Sequence, residues 1–325
     1  VASHRGLVAI QTLARKEVGI IMRKRIRRLA GKRPLTLLAV ASLAASFGVL
    51  SAASTAMATP KGEFAVFADC PLTVPGLNAC LYAKSESGVF TVGKKTVPLE
   101  KAVILQGGLK ERTETEFEFF AAQDGNTLTK VPQNVPGGLS GLVNCTEIKG
   151  SGILETLERG TCKGIFENGL TGVTATTELA APASTIKVNL GNILGETGTG
   201  LQLPVKVHLE NPLLGSSCYV GSNSAPILIP FTTGTTSPPL PNKPISGKAG
   251  TLEFTESGIL KLLNNSLVNN SFAAPKTNGC GGIFEFLIGP IINASLGVPA
   301  AAGNNTAILN GIQELAPPEL VKASE

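Results

Sequence analysis

The 325-residue chain has no tryptophan, two tyrosines (Tyr82 and Tyr219), two histidines (His4 and His208) and two aspartates (Asp69 and Asp124). Each scarcity removes a class of function. Without tryptophan, and with few tyrosines, platforms for stacking sugars or bases are scarce. Acid–base and nucleophilic catalysis rely mostly on His, Asp, Glu, Cys and Lys. Beyond residue 58 a Ser-His-Asp triad could draw only on His208 with Asp69 or Asp124. No Gly-x-Ser-x-Gly elbow, no Cys-x-x-Cys pair and no complete phosphate-cradling glycine loop occurs, so no cofactor and no metal are expected.

Positive charge is also scarce once its location is considered. The whole chain carries a formal +5, but ten of its 28 Lys/Arg and only one of its 23 Asp/Glu, Glu17, lie in residues 1–58. Residues 59–325 therefore carry a net charge of −4. That balance disfavours phosphate backbones, and no nucleic-acid partner is expected. A charged fraction of 16% and a mean hydropathy of +0.23 argue for a folded chain.

The basic segment reads as an export signal. Arg23 to Arg33 form the basic part and Leu35 to Val49 the apolar part. Ala56-Met57-Ala58 places small residues before a cleavage between Ala58 and Thr59. Residues 22–58 are thus expected to be a secretory signal peptide, and 59–325 the mature protein. Residues 1–21, which start on Val1, read as an upstream extension with Met22 as the start. No second long apolar run follows, so no transmembrane segment is expected in the mature chain.

All six cysteines fall after residue 58: Cys70, Cys80, Cys145, Cys162, Cys218 and Cys280. An even number in an exported chain points to disulfides, for which six cysteines allow 15 pairings. Nearest neighbours give Cys70–Cys80, Cys145–Cys162 and Cys218–Cys280 as a simple guess.

Glycine and proline are plentiful along 59–325, which suits many short strands. From Leu201 to Glu210, five aliphatic residues alternate with Gln202, Pro204, Lys206, His208 and Glu210, the mark of a strand with one buried face. Pro204 places that strand at an edge or bulge. Val173–Leu179, Ile186–Leu190 and Glu116–Phe119 alternate likewise. Asp124-Gly125-Asn126 reads as a hairpin turn into a strand over Thr127–Val131. Further strands are expected at Phe64–Ala68, Leu81–Lys84, Val89–Val92, Ala102–Gln106, Pro226–Thr232, Thr251–Thr255 and Thr306–Ile312. Ile153–Leu157 and Ile283–Ile292 read as short helices, the second limited by Pro290. Ile259–Val268 fits helix or strand. The expected fold is mainly β, with β-sandwich-like domain(s), a few short helices and disulfides. It is either one large domain or two with a boundary near 132–141.

Two local patterns bear on chemistry. Glu114, Glu116 and Glu118, with Glu111 nearby, would share one face of a strand. Such a run usually forms a solvated face that discourages edge pairing, yet it could also supply the carboxylate pair of a hydrolase. Ser184-Thr185-Ile186-Lys187 matches a Ser-x-x-Lys motif but lies in strand pattern without its companion motifs.

Several stretches together resemble a group of uncharacterised exported proteins from high-GC actinobacteria of the Solirubrobacterales type. They are Cys70-Pro71 with Cys80-Leu81-Tyr82-Ala83, Phe119-Phe120-Ala121-Ala122 with Asp124-Gly125-Asn126, and Gly172 to Thr176. Thr232 to Pro239 and Asn278-Gly279-Cys280-Gly281-Gly282 complete them. The likeness spans most of 60–315 and implies export from a bacterial cell; it carries no activity, ligand or functional residue.

The expectation is a secreted or cell-surface structural or binding protein without catalytic activity. It would be released, or wall-associated by non-covalent contact. The alternative is a secreted hydrolase built on a glutamate pair. A third reading, an envelope pore, needs outward apolar faces on a closed barrel and sits poorly with so many cysteines and prolines.

Overall fold

A computed structural model describes residues 59–139, Gly160 and 172–325. The expected presequence, the Ile153–Leu157 helix and the Cys145–Cys162 pair lie outside the described residues. In chain order the strands are β1 (Ala79–Val92), β2 (Lys95–Pro98), β3 (Val103–Glu111), β4 (Glu116–Ala121), β5 (Gln133–Asn134), β6 (Thr174–Leu179) and β7 (Lys187–Asn189). They continue with β8 (Leu201–Glu210), β9 (Tyr219–Val220), β10 (Ile227–Phe231), β11 (Thr251–Phe254), β12 (Leu260–Asn269), β13 (Thr277–Asn278) and β14 (Thr306–Ala316). The α-helices are α1 (Leu190–Gly195), α2 (Glu285–Leu296) and α3 (Pro318–Ala323). The protein is therefore mainly β: among the described residues, one antiparallel sheet of 14 strands with a few short helices and two disulfides, Cys70–Cys80 and Cys218–Cys280.

The sheet folds over on itself. Its ladder runs β12-β14-β1-β3-β4-β7-β8, and β10 pairs with the other edge of β8. Just past β10, the Thr232 N–H donates to Val268 O of β12 at 3.0 Å, and the Val268 N–H donates back to Thr232 O at 2.8 Å. Strands at the two ends of the path are thus stitched together. Edge N–H and C=O groups find partners, and the inner faces are enclosed. The result is sandwich-like, with β1, β3 and β14 facing β8 and β10 across a common core. β5, within the 132–141 stretch, pairs with β6 of the same sheet.

Bending such a sheet needs local irregularity. β1 and β12 each shift register against β14 at the level of Gly311. A Cβ on Gly311 would lie 1.9 Å from Lys84 O, so no side chain fits that approach. Asn264, in the left-handed region at φ 56°, supplies the bulge in β12. The ambiguous Ile259–Val268 segment is a strand because both of its neighbours offer open edges.

Four sequence expectations change. Pro204 does not put Leu201–Glu210 at an edge or bulge: β8 is internal, paired in regular register with β6 and β7 on one side and β9 and β10 on the other. Phe64–Ala68 is not a strand; Gly62–Phe67 form a 3₁₀ helix. Three residues per turn bring Phe64 and Phe67 to one side, where they pack beside the Cys70–Cys80 disulfide, Ile259 and Val321. The segment after Asp124 does not pair back on β4. Its Thr127 O and Thr129 N–H bond Gln106 and Ile104, lying along the first half of β3 on the edge whose second half β4 occupies. Pro290 does not end its helix, since α2 runs six residues further to Leu296. Burial of Ile292 and Leu296 in the core offsets the backbone bond that proline cannot donate.

Candidate functional site

The inward faces of the folded-over sheet do not fill the space between them. Leu201, Leu203, Val205, Val207 and Leu209 of β8 point inward, as their period of two dictates, and all five are buried. Val103 and Leu105 of β3, Ile229 and Phe231 of β10, and Leu309 of β14 complete much of the wall. Between them lies a cavity of about 140 Å³. That is the scale of an engineered apolar cavity that stays dry and takes up benzene. Leu296, at the end of α2, closes part of it, and Phe90 is anchored by stacking on Phe272 at 5.8 Å.

Among the described residues the wall has four polar side chains: Ser85, Lys95, Gln133 and Thr177. Gln133 is fully used by the backbone. Its Oε1 accepts from the N–H groups of Glu100 (2.9 Å) and Lys101 (3.0 Å), and its Nε2 donates to Lys101 O (2.9 Å) and Val131 O (3.3 Å). It staples β5 to the β2–β3 connection. The remaining surface is aliphatic and aromatic, so this site can sequester apolar matter.

The outward face of β8 holds a different assembly, which sequence reasoning missed. His208 is not freely solvated; its side chain is 15% exposed. It stacks on Tyr219 with ring centroids 4.4 Å apart, and its Nε2 lies 3.2 Å from Ser216 O. Glu178 of β6 and Glu210 of β8 approach its Nδ1 at 3.9 and 3.8 Å. Lys206 lies 3.8 Å from Glu178 and 4.5 Å from the Tyr219 ring. Thr174 and Thr176 both donate to Glu210, at 3.1 and 3.2 Å. Burial first, then the two glutamates, hold the Tyr219 phenol above its ordinary value. The signal existed in the sequence as Lys206, His208 and Glu210 at period two, but their partners come from β6 and β9.

The other expected residues are dispersed. Glu111, Glu114 and Glu116 are exposed. Glu118 sits opposite Lys187 across β4 and β7 and borders a polar cleft with Arg112 and Ser184. The Ser-x-x-Lys stretch is a 3₁₀ turn running into β7, with Ile186 as its buried anchor. Asp69, half-buried, accepts from Gln106 Nε2 at 3.2 Å; burial and the nearby Asp124 raise its pKa against that bond. Asp124 accepts from the Asn126 N–H at 2.7 Å, as a turn residue does. Among the described residues no three His, Cys, Asp or Glu converge as a metal site, and no helix is long and apolar enough to cross a membrane.

No family model, no curated protein and no solved structure matches the chain, so the geometry of the cavity is what bears on its function.

Proposed function

We propose that this is a secreted, non-catalytic binding protein that holds an apolar small molecule, or the apolar part of a larger one, in the cavity between β1, β3, β8 and β10. One observation carries the reading: an interior space of about 140 Å³ bounded almost wholly by aliphatic and aromatic side chains. A core under no other demand packs to crystal-like density, and unfilled apolar space costs stability. Export follows from the basic and apolar pattern of residues 22–58, and two disulfides are compatible with an oxidising destination. The resemblance to exported actinobacterial proteins agrees with it. A hydrolase built on glutamates draws less support, since Glu114 and Glu116 are exposed and line neither this cavity nor the cleft at Arg112. The test is solvent extraction of the natively purified protein followed by mass spectrometry, together with titration by an apolar fluorescent probe. A stoichiometric apolar compound, or saturable probe binding lost in Leu203→Trp, is expected. A protein that carries nothing and binds no apolar probe refutes the reading.

A further inference from the structure

Among the described residues the cavity wall contains one charged side chain, and its position is set by register rather than by chance exposure. In β2, Lys95 pairs with Val92 and Val97 pairs with Phe90. All four residues line the cavity. Lys95 and Val97 are two apart and therefore share the inward face, while Thr96 points outward, its hydroxyl 2.9 Å from that of Thr91. A lysine thus stands where the pattern calls for an aliphatic residue.

The adjacent lysine shows that the turn does not need both charges. Lys94 donates its backbone N–H to Leu296 O at 2.8 Å and its Nζ to Ala294 O at 3.3 Å. It caps the C-terminal end of α2, where a cation is favoured by the helix dipole. Gly93 permits this seam: it is left-handed at φ 54°, and a Cβ there would lie 2.4 Å from Leu296 O. Lys95 has no such role. It is half-buried, with no hydrogen-bond or ion-pair partner among the described residues. Among the described residues no carboxylate lines the cavity, and Glu100, which follows β2, accepts from Asn134 at 3.1 Å. Its stem lines the apolar wall, and the Lys95 ammonium, whose three donors no described residue takes up, is left to meet an anionic group.

We infer that the ligand is a single-chain amphiphile with an anionic head. Its hydrocarbon lies along β8 and β10, and its head is bound by the Lys95 ammonium. The inference rests on the cavity being the binding site, and the test separates the two ideas. Octanoate and octanol share a chain and differ in the head. Both are titrated calorimetrically into the full chain, into Lys95→Gln and Lys95→Arg, and into the cavity-filling variant Leu203→Trp. Val97→Phe serves as a second filling variant at the half-buried rim should Leu203→Trp misfold.

The wild type is expected to prefer octanoate by about tenfold, the scale of one charge-assisted hydrogen bond. Lys95→Gln abolishes that preference by weakening octanoate alone, Lys95→Arg keeps it, and filling the cavity removes binding of both. Equal binding of the two compounds, unchanged in Lys95→Gln but lost on filling, overturns the head-group inference and leaves the cavity reading intact. Binding of neither compound, or binding indifferent to the filling variants, overturns both.

Discussion

Strand β8 separates two regions of opposite chemistry built from alternate residues of one ten-residue segment. Its outer side gathers titratable groups from β6, β8 and β9. Glu178 is shared by Lys206 and His208, Glu210 by His208 and two threonine hydroxyls, and the rings of His208 and Tyr219 cover each other. Its inner side contains almost no polar atoms, yet it is incomplete, because the facing aliphatic side chains leave space. The unfilled space lies on the apolar side.

The comparison can be broken or sharpened by experiment, beginning with the bond that serves both sides. β9, next to Cys218, contributes Val220 to the cavity wall and Tyr219 to the outer cluster, and the Cys218–Cys280 disulfide spans 62 residues. Replacing both cysteines by alanine is expected to cost about 4 kcal/mol in urea unfolding, against about 3 kcal/mol for Cys70 and Cys80, whose separation is 10. Equal costs would show that chain entropy does not set the difference. Next, Leu203→Ala should destabilise by about 2–3 kcal/mol while enlarging probe uptake. Val205→Leu should gain roughly 0.5–1 kcal/mol by filling space. A Val205→Leu variant that loses stability would mean the interior is already tightly packed.

The outer side should respond less. Glu178→Gln is expected to cost below about 1 kcal/mol and to leave octanoate binding unchanged. A loss as large as that of Leu203→Ala would erase the proposed asymmetry. The smallest effect concerns Asp69, away from both sides of β8. Burial, aided by Asp124 and opposed by Gln106, raises its pKa from the ordinary 3.8. The folded protein therefore keeps a proton that the unfolded chain has already released, and stability falls as pH rises from 3.8 through the raised folded value. Asp69→Asn should flatten that slope in thermal melts taken across the window, and a slope unchanged by the substitution would rule out Asp69 as its source.

Much of the strand content was legible because alternation is a local property. Leu201–Glu210 is a strand over its whole expected length, and Thr174–Leu179 lacks only Val173 of its expected range. Elsewhere local pattern and tertiary context disagreed. Phe64 and Phe67 suit a 3₁₀ turn as well as a strand, and burial beside a disulfide chose the turn. Pro290 looked like a stop, but the apolar residues after it gain more from the core than the helix loses. Alternation puts His208 on the polar face of β8 but not among its partners, which are supplied by strands that meet β8 only after folding.

By itself, the sequence determined that this chain builds half-buried strands and few helices. It also determined that residues 59–325 hold a single histidine and two aspartates. Those properties reside in composition and in periods of two, which each segment carries unaided. Only the tertiary structure decided which edges closed on each other, which cysteines met, and that Lys95 faces an apolar interior. It alone decided that the interior holds a cavity. Whether opposing apolar faces fill the space between them depends on register, curvature and summed side-chain volume across strands distant in sequence, and no single segment encodes that sum.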